Sequence, residues 1–261
     1  MPVYVSSTVR LQWGWSVRQL STSVGGPSLP LPPPSSLVGM LSKPLALAKG
    51  WGEISRVNGV IASSTYRIAR HVLAIGAAIE GSAIPYGDLA RSLNIPYLRR
   101  AYRAREDMWF STTIFGVVSA PMTRIHYSIV FSDDLLSEGV TLEDLKLAAY
   151  SATHIGTKEG IVDVEHVEVG ETSIVTGGET MCYTPSPGVK EFLRAGRIEV
   201  VRVWDPRDIA AYSGAGEPVG LDILHASRPL GGYVNPGIVV LHDDYPSYPV
   251  GGTCGIVASL P

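Results

Sequence analysis

Only two cysteines, Cys182 and Cys254, occur in 261 residues, 72 positions apart and with no Cys-x-x-Cys pair. That scarcity excludes a zinc ribbon and predicts a chain without a disulfide framework, its thiols free in a reducing cytosol. Cys254, in the glycine-rich turn Gly251-Gly252-Thr253-Cys254-Gly255, reads as a small buried thiol. Long apolar runs are missing as well. The longest, around His71 to Ile84, is interrupted by Glu80 and falls short of a bilayer span. The N-terminus lacks a basic segment followed by an apolar one, so a soluble, unexported, cytoplasmic protein without membrane association is expected. Gly-x-x-x-x-Gly-Lys-Ser/Thr, His-Glu-x-x-His and Gly-x-Ser-x-Gly are all absent, which argues against P-loop, zincin and serine-hydrolase chemistry. His242-Asp243-Asp244 has no further ligand at metal spacing, so neither metal nor cofactor is expected. Lysine is scarce too: of 21 basic residues, 16 are Arg and 5 are Lys.

What is present is enough apolar sequence, 45% against 17% charged, to build one large core or two modest ones. The net charge of −3 conceals an asymmetry. Residues 1–126 carry 13 bases and 5 acids, a net of +8, and residues 127–261 carry a net of −11. The planar guanidinium donates paired hydrogen bonds to phosphate and stacks on flat rings, so the first half suits an anionic partner. A composition bias toward Arg, with a merely solvated acidic half, is the competing account.

Val3, Val5, Val9, Leu11, Trp13, Trp15 and Val17 alternate as in one long strand, placing Arg10, Gln12 and Arg18 on the opposite face. Residues 19–34 hold five prolines and two glycines and read as a stiff loop. Ser35 or Ser36 is the expected N-cap of a helix running through Leu37, Leu41 and Leu45, which Pro44 is expected to kink or shorten. Tyr66 to Ala78 reads as a strand, Asp88 to Leu93 as a short helix, Thr112 to Ser119 and Ile125 to Phe131 as strands. Thr141 caps a helix over Leu142 to Ser151, and Ile161 to Val169 is another alternating strand. The order over residues 1–169 is strand, helix, strand, strand, helix, strand, with an insertion between the second and third strands near residues 85–110. This predicts an α+β, ferredoxin-like domain of the RRM-like kind, followed by a β-rich part over 170–261. Both helices then cover one sheet face, and in RNA-recognition versions the other face meets nucleic acid.

Three segments carry candidate chemistry. Pro32-Pro33-Pro34-Ser35-Ser36-Leu37-Val38-Gly39 sets serines at a helix N-terminus, where unpaired N–H groups favour phosphate and Gly39 permits close approach; an ordinary helix start is the alternative. In Tyr97-Leu98-Arg99-Arg100-Ala101-Tyr102-Arg103-Ala104-Arg105, arginines neutralise phosphates while tyrosines stack on unpaired bases; a solvated surface segment is the alternative. Thr153-His154-Ile155-Gly156-Thr157-Lys158-Glu159-Gly160 joins the second helix to the next strand and reads either as a polar connection or as a source of a base and a cation. The candidate RNA-binding set is Arg10, Gln12, Arg18, Ser35, Ser36, Arg67, Arg70, Arg99, Arg100, Tyr102, Arg103, Arg105 and Lys158, with no catalytic residue assigned.

The strand carrying Arg10 and Gln12, the segment PPPSSLVGML and the later HIGTKEGIVDVEHVEV together resemble the CRISPR-associated Cas-five family of the RAMP superfamily, in particular its archaeal type I-A subgroup. Thr157 and Gly160 stand where that family usually has serines. The resemblance implies a crRNA-binding structural subunit of a Cascade surveillance complex, holding the 5′ handle of the crRNA and capping a filament of Cas-seven backbone subunits, with a large subunit docked beside it. It also implies a thumb between the second and third strands, the interval in which Pro96 to Glu106 lies. One branch of the family cleaves precursor crRNA without metal, so an endoribonuclease is the alternative, with His71, His154 and Lys158 as the nearest base and cation in sequence.

Overall fold

A computed structural model describes residues 1–17, 27–93, 106, 109–156, 160–193, 196–214, 217–230 and 233–261. In chain order the first elements are β1 (Val3–Leu11), β2 (Gly14–Trp15), α1 (Pro34–Ala48), β3 (Ile54–Val57), β4 (Val60–Ser63) and α2 (Tyr66–Ala69). Next come β5 (Val72–Glu80), β6 (Ile84–Leu93), β7 (Phe110–Ser119), β8 (Arg124–Phe131), α3 (Asp134–Ser137), α4 (Leu142–Tyr150) and β9 (Val162–Glu171). The rest is β-rich: β10 (Val175–Thr180), β11 (Thr184–Pro185), β12 (Val189–Leu193), β13 (Arg197–Trp204), α5 (Ala210–Ser213), β14 (Gly220–Leu230), β15 (Tyr233–Pro236), β16 (Ile238–Pro249) and β17 (Ile256–Ala258).

The organising sheet has the antiparallel order β5-β8-β1-β9. β1 lies inside it, Val3 opposite Phe131 and Arg10 opposite Arg124 on β8, with Leu11 opposite Val162 on β9. The alternation read in the sequence has its cause here. Val3, Val5, Val9 and Leu11 are fully buried, in one apolar cluster with Leu37, Leu41 and Leu45 of α1 and Leu145 and Ala149 of α4. Burying each such leucine contributes about 1.5–3 kcal/mol. α4 begins where local sequence says it must. The Thr141 hydroxyl accepts from the Asp144 N–H at 3.1 Å, and the Asp144 carboxylate accepts from the Thr141 N–H at 2.8 Å, a reciprocal cap.

Several elements differ from the sequence reading. The long strand ends at Leu11: Gly14 has φ +152°, and a Cβ there would stand 1.8 Å from the Val118 carbonyl oxygen, so only glycine lets β2 approach β7 this closely. The turn before it leaves Trp13 71% exposed while Trp15 is fully buried, its indole N–H donating to the Leu29 carbonyl at 2.9 Å. α1 starts one residue before the serines. Pro33 is its N-cap and Pro34 its first residue, because proline has no N–H to leave unsatisfied and its φ is already helical; Ser35 and Ser36 therefore lie inside the first turn. The helix runs on through Pro44 to Ala48. Tyr66–Ala69 is a short helix ahead of β5 and not part of a strand. Asp88 to Leu93 belongs to β6, because ten successive pairings with β7, from Ile84↔Ser119 to Leu93↔Phe110, override a weak local helical pattern.

The second face of the central sheet is not open to a ligand over its middle. Ala74, Ala78 and Val130 pack there against Tyr248 and Val257 from the C-terminal strands and against Cys182 and Cys254. These cysteines are joined, Cα to Cα 5.2 Å, where free thiols were expected. Their spacing in sequence gave no hint. β10 and β17 both pair with β16, and that shared neighbour brings the two cysteines together. Gly76, mid-strand in β5, admits the pair: a Cβ there would lie 2.9 Å from the Cys182 Cβ. Among the described residues no helix is long and apolar enough to cross a membrane, and no group of three His, Cys, Asp or Glu side chains is disposed to hold a metal.

Candidate nucleic-acid interface

Two of the sequence segments meet. After α4 the chain turns back through a tight loop in which the Ile155 N–H donates to the Gly160 carbonyl at 2.8 Å and His154 bridges to Ile161. The loop carries Gly156 against the start of α1: a Cβ on Gly156 would lie 2.8 Å from the Val17 side chain and 3.8 Å from Ser36 Oγ. Between them is a cleft of about 390 Å³ lined by Ser35, Ser36, Gly39, Lys43, His154, Gly156 and, from other segments, Thr65 and Tyr212.

Its electrostatics favour an anion. The N-terminus of a 15-residue helix carries a partial positive charge, no acid occupies its first turn, and Lys43 stands exposed two turns on. The Tyr212 hydroxyl is buried without a hydrogen-bond partner among the described residues, and burial, then the nearby Asp205 charge, pushes its pKa up. A buried hydroxyl in that position requires a water or a ligand group to complete it.

The other described candidates lie elsewhere. Arg10 pairs with Asp163 at 3.3 Å and Glu165 at 3.5 Å, Arg124 with Glu165 at 2.6 Å, and the Gln12 amide donates to Asp163. Arg10 and Gln12 thus sit in a half-exposed network already supplied with carboxylates. Further along that face the Tyr4 hydroxyl donates to Glu168 at 2.6 Å; burial first, then this acceptor, pushes its pKa to about 12. Arg67 lies over the Trp51 ring at 5.1 Å. Arg70 pairs with Glu138, which also contacts His71 Nε2 at 2.9 Å. That cluster is near the C-terminal end of α1, where Lys49 donates to the Gly139 carbonyl, about 20 Å along the helix from Ser35. His71 precedes the β5 residue opposite Phe131 and Val3, whereas His154 is beside the Leu11 end, so roughly 25 Å of strand separates them. Arg18, Arg99, Arg100, Tyr102, Arg103, Arg105 and Lys158 lie outside the described residues.

No family model matches the chain. It is 31% identical over 229 residues, 87% of its length and 90% of the relative's, to the CRISPR system aCascade subunit Cas5 1 of Saccharolobus solfataricus. The chain belongs to the Cas5 family. A second Cas5 protein of that organism, CRISPR-associated protein Cas5 3, is 28% identical over 233 residues, with 87% and 90% of the two chains covered. The fold is shared with a CRISPR protein from Archaeoglobus fulgidus, at a TM-score of 0.63 and 17% identity with both chains fully covered.

In this Cas5 chain three polar cleft residues, Lys43, Thr65 and Tyr212, were not singled out in the sequence. Lys43 carried a usable signal, since Ser36, Met40 and Lys43 recur at helical spacing and share a face. Thr65 and Tyr212 carried none, because each reaches the cleft only through tertiary packing: α5 lies against β4, and the Tyr66 and Tyr212 rings meet at 6.1 Å.

Proposed function

We propose that this Cas5 chain is the crRNA-binding, non-catalytic subunit of a Cascade-type CRISPR surveillance complex, that it holds the 5′ handle of the crRNA, and that the cleft at the start of α1 receives a handle phosphate. The convergence of PPPSSLVG with the loop after α4 carries the reading. Two segments far apart in sequence bring Ser35 and Ser36 on one side and His154 and Gly156 on the other to one cavity, beside a helix N-terminus and Lys43. The name of the 31% identical relative, a subunit of aCascade, supports membership of such a complex. On this reading the β5-β8-β1-β9 sheet with α1 and α4 is the ferredoxin-like domain, ending near residue 169, and residues 170–261 form the β-rich part that covers it. Hairpin β6–β7, with the arginine-rich residues 97–105 between its strands, is the thumb. A Cas-seven backbone subunit and the Cascade large subunit are the protein partners. The separation of His71 from His154 takes His71 out of the metal-independent endoribonuclease reading, whose base and cation must converge on one phosphate, and leaves His154 with Lys158 of the same loop as its candidates.

The test is a gel-shift titration of the full chain with labelled CRISPR repeat RNA, in EDTA and at several salt concentrations, read for shift and cleavage together. The expected result is a salt-sensitive shift without a product. Replacing Arg99, Arg100, Arg103 and Arg105 by Ala should lower the slope of log affinity against log salt by up to about 3, since each phosphate contact to a single strand contributes about 0.7. Unchanged affinity in that variant overturns the thumb assignment, and a discrete EDTA-resistant product overturns the scaffold reading.

A further inference from the structure

A second cavity, away from the phosphate cleft, lies between the turn after β1 and the hairpin β6–β7. It measures about 270 Å³, and its walls include Trp13, Tyr86, Phe115, Val117 and Ile161, with Asp88 as its charged group. The register explains the wall. Tyr86 is opposite Val117 and Asp88 opposite Phe115, so the four side chains stand on one face of the hairpin. Gly14 pairs with Ser119 at the other edge of β7, which sets Trp13 beside that face.

We propose that this cavity receives one unpaired nucleobase of the bound RNA, stacked among Trp13, Tyr86 and Phe115 with its amino edge toward Asp88. The inference rests on the RNA-binding reading and deepens it. Trp13 is 71% exposed and Tyr86 47% exposed, although indole is among the costliest side chains to leave in water. An aromatic surface of this kind calls for a cover, and the cavity's size and charge select which. It is smaller than the usual pocket for a drug-sized ligand, room for one heterocycle more than for a docked peptide. The cores of protein interfaces are depleted of carboxylates, whereas base edges supply the N–H groups a carboxylate accepts. The Asp88 carboxylate is held by the Leu89 N–H at 2.8 Å. In sequence the cavity adjoins the proposed thumb, since β6, which carries Tyr86 and Asp88, leads through Leu93 into the arginine-rich segment. Adenine, cytosine and guanine carry an amino group for Asp88, whereas uracil offers a single N3–H between two carbonyl oxygens that a carboxylate repels, so a preference against uracil follows.

The experiment measures fluorescence anisotropy of 5′-labelled octa-adenylate and octa-uridylate RNA with the full chain at several salt concentrations. Octa-adenylate should bind more tightly than octa-uridylate. Trp13→Ala, at an exposed position where the melting temperature should hold, should weaken octa-adenylate binding about tenfold, with Trp13→Phe restoring part of it. The salt slope should stay constant, because a stacked base releases no counterions. Asp88→Ala should reduce the preference for adenine to what stacking alone leaves. Unchanged affinity in both Trp13→Ala and Tyr86→Ala, or a changed slope, overturns the base site while leaving RNA binding in place. If those variants keep RNA affinity but lose association with the neighbouring complex subunits, the face is a protein-docking surface and the proposal is wrong. If the unaltered chain binds neither oligonucleotide at any salt, the RNA reading itself falls, and the base site with it.

Discussion

Breaking the Cys182–Cys254 bond should lower stability without abolishing the fold. The bond closes a loop of 72 residues in sequence separation. In the chain-entropy account, releasing a loop of that length returns about 4 kcal/mol of disorder to the unfolded chain. For a protein of this size each kcal/mol moves the melting temperature by about 2–4 °C, so the reduced protein should melt roughly 8–16 °C lower. Both cysteines are 2% exposed, so reductant should act slowly on the native protein and quickly once denaturant is present. The assay is a thermal scan of the oxidised protein against protein reduced in denaturant and refolded in reductant, with Cys182→Ala/Cys254→Ala as a second comparison. Alanine leaves small cavities of its own beside Ala74 and Val130, so the reduced natural sequence is the cleaner measurement. Two reactive thiols in the freshly purified, denatured chain, or coincident melting curves, would refute the reasoning.

Two further outcomes test separate parts of the structure. His225 is 6% exposed, and burial first, then the Arg197 charge, holds its pKa down to about 4. The unfolded imidazole binds its proton near pH 6.5, so stability is fully present above that value and falls as the pH drops toward 4, by about 2–3 kcal/mol at pH 4.5. Urea midpoints at pH 7 and 4.5 should show that loss, and His225→Leu should remove it; an equal loss in the variant counts against the assignment. Gly39 lies inside α1, where an added Cβ meets nothing within 4 Å. Gly39→Ala should therefore raise stability by about 1 kcal/mol while weakening repeat-RNA binding at the cleft, and tighter binding in that variant would contradict a phosphate seated there.

The sequence was most readable where structure follows from neighbours along the chain. Thr141 and Asp144 cap each other across three residues, and the buried valines of β1 alternate because one face of the strand meets the leucines of α1 and α4. Reading failed where a distant partner decides. Trp13 continues the β1 alternation in sequence, yet the approach of Gly14 to Val118 turns it outward. Asp88 to Leu93 is a strand because β7 pairs with it, and the cysteines are bonded because both flank strands that share β16. The candidate site divides in the same way. PPPSSLVG was visible as a phosphate candidate, and the segment after α4 as a polar connection or a source of a base and a cation. That they face one another, with Tyr212 completing the wall, follows from a topology no local pattern encodes.

The position of β1 sets the timing of folding. The strand precedes both of its sheet neighbours by more than a hundred residues, since β8 and β9 begin at Arg124 and Val162. A ribosome adding about 5–20 residues per second needs roughly 10–30 s to deliver the last residue β1 pairs with. Until β8 is complete at Phe131, Val3, Val5, Val9 and Leu11 have no neighbouring strand; one edge of β1 stays open until Glu171, and the residues that cover the other face, Cys254 and Val257, follow later still. The chain is therefore most prone to aggregate while it is being made, and a slower ribosome or a missing chaperone should lower its soluble yield more than the finished protein's stability suggests.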